Sequence, residues 1–288
     1  MDFKAGFIGF GLIAGSMAHA LKESDNNYTI VATSRHLEPV FKAKEDKIVD
    51  IVTEGITSEY EDCDFIIICT PVITISDYLK KLSSIVNNKC IITDVGSVKS
   101  SIHHTVSELG MDSVFIGGHP MAGSELTGYA NSSSSIIKGC RYVITPTGKT
   151  TDIQLERFKN FVLDLNANPI IMDYEIHDKA VAAISHLPHL ISTALVHLVS
   201  EHDDEQKHMQ MLAAGSFRDM TRVAASSPEM WDQICSSNSD AISGLLEDYI
   251  KVLEEIKENI DNKTPGYIAG LFEMSKEYRN SFINNTKK

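Results

Sequence analysis

Two polar segments of this chain, TDVGSVKS (93–100) and GGHPMAGSELTGY (117–129), each follow an apolar run that predicts a β-strand. The second segment holds His119 between Gly118 and Pro120, where its strand would end. In an open parallel sheet, ligands bind outside the carboxyl ends of the strands. An imidazole there can accept a proton near neutral pH, so His119 is the predicted general base of a catalytic site.

Further basic side chains recur in the second half of the chain. Arg218 and Arg222 are four residues apart and would share a helix face. They predict either an anion-binding site or, with Asp219 between them, a surface ion-pair patch. His186 and His189 could form a metal pair, but no third ligand follows at a useful spacing, so we expect no metal.

A glycine-rich turn, GFGLIAGSMAHAL (9–21), has the pattern G-x-G-x-x-A between a predicted strand and a predicted helix. Gly9 allows the tight turn, Gly11 lets the backbone approach a pyrophosphate, and the helix N-terminus offers unpaired N–H groups. This context predicts a dinucleotide site rather than a strand–helix turn without a ligand. The predicted cofactor-binding residues of the turn are Gly9, Gly11, Leu12 and Ile13.

The segment ATSRH (32–36) ends the second predicted strand, about where an NAD site has an acidic residue. Here Ser34 and Arg35 stand instead, and a guanidinium binds a 2′-phosphate where a carboxylate would repel it. The sequence therefore favours NADP; the alternative is that Arg35 only stacks on the adenine and that both NADP and NAD bind. Three residues at later strand ends are also predicted to bind the cofactor: Thr70, Pro71 and Asp94.

The elements that must position these residues begin as alternating strands and helices, with predicted helices over 14–22 and 40–47. Such alternation predicts an α/β fold with a doubly wound parallel sheet of the Rossmann type. NSSSS (131–135) is predicted to be a mobile loop. Seven apolar runs are predicted strands: AGFIGF (5–10), YTIVAT (28–33), DFIIICT (64–70), CIITDV (90–95), SVFIGG (113–118), RYVITP (141–146) and NPIIMD (168–173).

After Asp173 nearly every segment has a helical pattern. One helix is predicted over 188–198, with Pro188 in its first turn or at a kink. Apolar residues from Ile242 to Ile260 fall on one helical stripe. We therefore predict a Rossmann domain over residues 1–173 and an all-helical domain over residues 174–288.

Composition excludes several classes of protein. The 288 residues carry a net charge of −13, which disfavours binding to nucleic acid or to an anionic membrane surface. No uninterrupted apolar run reaches the roughly 18 residues of a membrane span, and no signal peptide is recognisable. The five cysteines form no C-x-x-C pair. These features predict a cytoplasmic protein without a disulfide or zinc framework.

Taken together, the segments resemble the prephenate/arogenate dehydrogenase family of tyrosine biosynthesis, and they occur in that family's order. The resemblance implies a Rossmann domain, a helical domain that forms a homodimer, and oxidative decarboxylation of a cyclohexadienol. It is carried by GFGLIAGSMA, TDVGSVK, GGHPMAGSELTGY, HDKAVAAISHLPH and GSFRDMTRVAASSPEMW.

By the same resemblance, His119 is the catalytic base, Ser97 orients it, and Arg222 binds a substrate carboxylate. The resemblance also implies three further substrate-binding residues: His189, Trp231 and Ser124. For Trp231, the alternative to substrate binding is simple core packing.

Alternatives remain for the substrate and for the class of protein. His189 favours prephenate, which is the predicted substrate, and arogenate is the alternative, because the Ser34–Arg35 pair is frequent in NADP-dependent arogenate enzymes. A β-hydroxyacid dehydrogenase would need a catalytic lysine, and Lys179 is the only candidate near the domain junction. A non-enzymatic NADP-binding sensor is the remaining alternative.

Overall fold

A five-stranded parallel sheet forms the N-terminal part of the computed structural model, which describes residues 1–123 and 126–285. The sheet order is β3-β2-β1-β4-β5, so the chain reverses direction across the sheet between β1 and β4. This order confirms the Rossmann fold, whose ligands bind at that switch point. Its strands are β1 (Asp2–Ile8), β2 (Asn27–Thr33), β3 (Ile51–Val52), β4 (Phe65–Ile68) and β5 (Ile91–Asp94).

Three further strands continue beside β5: β6 (Ile116–Pro120), β7 (Arg141–Pro146) and β8 (Asn168–Ile171). A parallel bridge between Ile92 and Phe115 joins the two sheets. β7 runs antiparallel to β6, which differs from the wholly parallel sheet that the strand–helix alternation predicts. The reason is that the segment between β6 and β7 contacts the first helix instead of crossing the sheet as a helix.

Eleven labelled helices occur up to residue 239 in the described part of the chain. A π-helical turn over Ala182–His186 joins the seventh to the eighth, and a 3₁₀ turn over Arg222–Ala225 follows the tenth. The helices are α1 (Leu12–Glu23), α2 (Glu38–Glu45), α3 (Val72–Leu82), α4 (Ser100–Glu108), α5 (Ser134–Ile137), α6 (Asp152–Asp164), α7 (Tyr174–Val181), α8 (Leu187–His202), α9 (His208–Leu212), α10 (Gly215–Thr221) and α11 (Pro228–Ser237).

Helices cover both faces of the parallel sheet. Along β1, Phe7 packs into a core cluster with α1 and α6, while its neighbour Ile8 packs into a second cluster with α3 and α4. All four residues of β4 are buried, as expected of a strand that is covered on both faces. This packing holds the carboxyl ends of β1, β4 and β5 at one edge.

The segment NSSSS is not the loop that the sequence predicts. Ser133 caps α5, and its backbone N–H donates to the Ser16 hydroxyl on α1 at 3.1 Å. Ser132 also lies close to Gly15, since a Cβ added at Gly15 would lie 2.5 Å from the Oγ of Ser132. The serines therefore dock a short helix against α1.

α7, the π turn and α8 form one helical stretch from Tyr174 to His202. By length and composition alone it could cross a membrane, with 28% of its most apolar window buried in the protein. It also bears charged and polar side chains that bond within the fold, including Asp178 and His186. We therefore interpret it as a helix of a folded domain.

The chain divides into two compact units after Ser239. The second unit contains nearly all of α12 (Ser239–Asp261) and the helix α13 (Tyr267–Asn285). Large apolar side chains of this unit are exposed, among them Leu253, Phe272 and Phe282. Every element described after residue 173 is helical, as predicted, while the domain boundary at residue 174 stays a prediction.

Candidate active site

The turn after β1 has the backbone that its glycines predict. Gly9 has a φ of +84°, and an added Cβ would lie 2.8 Å from Thr70 Cγ2 and 2.9 Å from the carbonyl oxygen of Cys69. A residue with a side chain at position 9 would be strained for both reasons. Glycine therefore lets β1 turn close against the end of β4.

Gly11 has a different reason to be glycine. It immediately precedes α1, and a Cβ placed there would meet no protein atom within 4 Å. The protein itself leaves the space open, as a site for a pyrophosphate at a helix N-terminus requires. Leu12 and Ile13 form the first residues of that helix.

The other predicted cofactor residues lie at the ends of neighbouring strands. Ser34 and Arg35 directly follow β2, and Arg35 is exposed, with no ion pair to any described residue. Thr70 and Pro71 lie between β4 and α3. Thr70 Oγ1 is buried and has no hydrogen-bond partner within the described residues, so it can bond a ligand here.

Asp94, at the end of β5, is completely buried and bonds the protein. Its carboxylate pairs with the Lys99 ammonium, accepts from Gly96 N at 2.8 Å, and accepts from Gly118 N at 3.3 Å. Burial lowers the pKa of Lys99, and the Asp94 carboxylate opposes that shift. These bonds tie the end of β5 to β6, while cofactor contact by Asp94 stays a prediction.

His119 lies near the carboxyl end of β6, and its side chain is half-buried. β6 follows β1, β4 and β5 across the sheet, so it lies about three strand spacings, or about 14 Å, from the glycine turn. A dinucleotide that crosses the switch point extends in this direction. Burial lowers the pKa of His119 well below its usual value, and the positive charge of Lys99 lowers it further.

A chain of hydrogen bonds leads inward from His119. Its Nδ1 lies 2.8 Å from Nε2 of His177, and His177 Nδ1 lies 2.8 Å from Oδ1 of Asp178. Both partners lie on α7 and are almost wholly buried, at 1% and 3% exposure. The imidazole of β6 is thus bonded to a histidine–aspartate pair of the helical segment.

Asp178 is itself held in place by backbone groups. Its carboxylate accepts from Lys99 N at 2.8 Å and from Ser100 N at 2.7 Å, at the N-terminus of α4. Burial alone would raise the pKa of Asp178, but hydrogen bonds from His177 and from these groups hold it below its usual value. The Asn238 amide donates to the Asp178 carbonyl oxygen at 2.9 Å.

Ser97 lies in the loop that joins β5 to α4, next to the strand of His119. Its side chain is half-buried, and within residues 1–123 and 126–285 it makes no hydrogen bond to His119. Its predicted orienting role stays a prediction. The predicted substrate residue Ser124 lies outside the described residues.

Two predicted residues, His189 and Trp231, line a cavity of about 210 Å³ between α8 and α11, and together with the nearby Arg222 they form the second group of predicted residues. Trp231 stacks on His189, with ring centroids 4.1 Å apart, and His189 Nδ1 donates to the Ser185 carbonyl at 2.8 Å. Trp231 Nε1 is buried and has no partner among the residues described. Arg222 directly precedes Val223 of the cavity wall, and its side chain is exposed.

His186 has a different environment from His189. It is buried, its Nδ1 lies 3.2 Å from the Asn238 amide, and burial lowers its pKa to about 4. Within the part of the chain that the structure describes, no group of three His, Cys, Asp or Glu side chains is arranged to hold a metal ion.

The sequence alone did not select His177, Asp178 or Lys99, which the structure places in the bonded network behind His119 and Asp94. The segment HDKAVAAISHLPH contains two of them and carries the family resemblance, so a signal was present. Their geometric role depends on contacts 58 and 79 residues apart, which spacing along the chain does not reveal.

Comparison with known proteins identifies two family models in this chain. Residues 17–171 match "Prephenate dehydrogenase, nucleotide-binding domain", and residues 173–274 match "Prephenate dehydrogenase, dimerization domain". The prephenate dehydrogenase of Bacillus subtilis (strain 168) is 32% identical over 273 residues, which cover 94% of this chain and 74% of that protein.

Two solved structures resemble the whole chain. Prephenate dehydrogenase from Aquifex aeolicus, in complex with hydroxyphenyl propionate and NAD⁺, has a TM-score of 0.90 and 29% identity, and the match covers 97% of this chain and 98% of that one. Synechocystis arogenate dehydrogenase has a TM-score of 0.87 and 31% identity, with coverage of 97% and 99%.

Proposed function

Because this chain belongs to the prephenate dehydrogenase family of NAD(P)-dependent oxidoreductases, we propose that it converts prephenate to 4-hydroxyphenylpyruvate in tyrosine biosynthesis. In this oxidative decarboxylation, a hydride leaves the ring carbon that bears the 4-hydroxyl group, and the hydroxyl proton goes to a base. The ring carboxylate leaves as carbon dioxide. The observation that carries the proposal is His119, half-buried at the sheet edge that also holds the glycine turn.

His119 is the proposed base for the hydroxyl proton. Burial and the nearby Lys99 charge lower its pKa, which keeps the imidazole neutral and able to accept a proton at pH 7. Ser97, at the adjacent strand end, is proposed to orient the ring. The nicotinamide cofactor, when bound, accepts the hydride.

NADP is the proposed cofactor. The fit rests on the open space at Gly11, the exposed guanidinium of Arg35 and the hydroxyl of Thr70, which has no hydrogen-bond partner among the described residues. A guanidinium after β2 can bind a 2′-phosphate with two parallel hydrogen bonds. NAD remains the alternative, because a ribose without the phosphate needs no such partner.

The substrate is proposed to lie between His119 and the second group of residues. Arg222 supplies a positive charge for one of the two carboxylates of prephenate. His189 and Trp231 are proposed to contact the side chain of the substrate. Trp231 Nε1, which has no partner in the part of the chain that the structure describes, offers a hydrogen bond there. Ser124 is retained as a proposed contact by its place in the motif.

Arogenate is the second candidate substrate. The Ser34–Arg35 pair and the similarity to Synechocystis arogenate dehydrogenase favour it. Arogenate has an ammonium group where prephenate has a keto oxygen, and an imidazole is a poor partner for an ammonium group. His189 therefore favours prephenate.

We also propose a homodimer formed through the helical region, in the cytoplasm. The match of residues 173–274 to a dimerization domain supports the dimer. A partner subunit would also cover apolar surface that is exposed on α8 and α13, including Leu198 and Phe272.

The test is an absorbance assay at 340 nm with prephenate or arogenate, each with NADP or NAD. We expect the largest kcat/KM with prephenate and NADP. Activity with arogenate but not with prephenate would make arogenate the substrate. Activity with NAD but not with NADP would make NAD the cofactor. A flat trace in all four combinations, with measurable NADP binding, would favour a non-enzymatic sensor.

A further inference from the structure

The pair His177–Asp178 has no part in the proposed reaction so far, yet it is the innermost part of the site. Both side chains are almost wholly buried, and the pair bonds Nδ1 of the proposed base. A buried polar chain of this kind is costly unless every donor meets an acceptor. The partners of each ring therefore determine which nitrogen carries the hydrogen in each hydrogen bond.

The donor in each of these hydrogen bonds can be assigned by starting from the Asp178 carboxylate. A carboxylate can only accept, so His177 Nδ1 carries a hydrogen and donates to it. In a neutral His177 the other nitrogen, Nε2, is then an acceptor. His119 Nδ1, 2.8 Å away, must donate to it, which leaves Nε2 of His119 with a free lone pair.

Asp178, at the inner end of this series of hydrogen bonds, is held in place by other groups. Asp178 accepts two backbone N–H groups at the start of α4, and Asn238 bonds its carbonyl oxygen. The rings of His119 and His177 meet edge to face, at 80° with centroids 5.1 Å apart. A ring whose partner is held by a buried, bonded carboxylate has little freedom to flip.

We infer that His177, held by Asp178, is a positioning residue that fixes the tautomer of His119, with the hydrogen on Nδ1 and the base on Nε2. The inference rests on the proposed function, in which His119 takes the hydroxyl proton. Burial and the charges of Lys99, His177 and His186 oppose a positive charge on His119, while the Asp178 carboxylate favours it. When His119 takes a proton on Nε2, its Nδ1–H still donates to His177, so the hydrogen bond is kept.

Two variants separate this role from mere packing. His177→Gln places an amide oxygen about where Nε2 lies, so it can still accept from His119. His177→Leu has similar bulk but no acceptor. The matched control is His103→Gln, since His103 is also buried but bonds Thr145 rather than the base.

We expect His177→Leu to lower kcat about 10²-fold, the lower end of the range for general-base catalysis, with KM for substrate and affinity for NADP changed less than threefold. His177→Gln should retain kcat within tenfold, and His103→Gln should leave it nearly unchanged. Equal losses in the Leu and Gln variants, or normal kcat in the Leu variant, would overturn the inference.

The tautomer itself can be read without substrate. In ¹⁵N-histidine spectra of the unmodified protein at neutral pH, His119 should carry its hydrogen on Nδ1, and a hydrogen on Nε2 would refute the inference. This measurement decides the matter even if His177→Leu fails to fold. If the unmodified enzyme oxidises neither prephenate nor arogenate, the proposed function fails, whatever the spectra show.

Discussion

At the residue scale, the proposed role of His119 as a base depends on its protonation state. Only the neutral ring can take a proton, and burial, with Lys99 nearby, lowers its pKa well below the usual value. We therefore predict that kcat/KM rises with pH through a value below 6.5, the usual histidine pKa, and is flat near pH 7.

The measurement is kcat/KM for prephenate as a function of pH, with His119→Asn as the control. The variant should lose kcat by roughly 10²-fold or more and keep its affinity for NADP. An ascending limb at or above pH 6.5 would contradict the environment assigned to His119.

Arg222 belongs to the same scale because its predicted role is a single ion pair with a substrate carboxylate. Arg222 is exposed in the free protein, but a bound substrate would bury the ion pair, and loss of a buried charged partner costs about 2–5 kcal/mol of binding. We predict that Arg222→Ala raises KM for prephenate at least tenfold while the midpoint of urea unfolding stays close to that of the unmodified protein. Arg218→Ala, one helical turn away, is the control, and equal KM changes in the two variants would refute the assignment.

Single residues show how far the sequence alone predicts the site. Residue type and a strand end were enough to place His119 at the carboxyl edge, because that edge is set by the topology of the sheet, while its role as the base stays a prediction. They could not select His177, since its partner lies 58 positions earlier in the chain. They also place Asp94 at the cofactor edge without revealing its buried pairing with Lys99.

At the scale of elements, the turn between β1 and α1 uses its two glycines differently. Position 9 has a left-handed backbone and no room, whereas position 11 has a φ of −104° and open space. We predict that Gly9→Ala costs about 1–3 kcal/mol of unfolding free energy. Gly11→Ala should fold normally but lose NADP affinity at least tenfold, or about 1.4 kcal/mol.

Urea unfolding and fluorescence titration with NADP measure these two effects. Each variant is the control for the other, because both add one methyl group to the same turn. If the Gly11→Ala protein binds NADP normally, the pyrophosphate does not bind at this turn.

Elements with a strong hydrophobic pattern were predictable, and those set by tertiary contacts were not. β4 is apolar at every position and was recognised, while the two-residue strand β3 is too short for periodicity to reveal. The polar composition of NSSSS predicts a loop, yet contacts with α1 order it as α5. The antiparallel direction of β7 likewise depends on the path of this connection.

At the scale of the whole molecule, buried histidines make the folded state sensitive to acid. Burial lowers the pKa of both His103 and His186 to about 4, below the value of about 6.5 expected when unfolded. Between these values the unfolded chain binds protons that the folded protein does not. Their stabilising effect is therefore complete above pH 6.5 and is lost as the pH falls towards 4.

We predict that the free energy of unfolding decreases as the pH falls from 6.5 to 4, with each such histidine adding at most about 1.4 kcal/mol per pH unit. Urea unfolding at several pH values measures this slope. His103→Gln removes one titrating group, so the slope of its unfolding free energy against pH should be shallower, by an amount that corresponds to at most one bound proton. His104→Gln, a change at the neighbouring and less buried histidine, should leave the slope unchanged. Parallel curves for all three proteins would show that burial of His103 does not govern the acid response. A shallower slope in His103→Gln alone would show that the neutral ring of His103, which lies on α4 and bonds Thr145 of β7, links folding to pH independently of the proposed base.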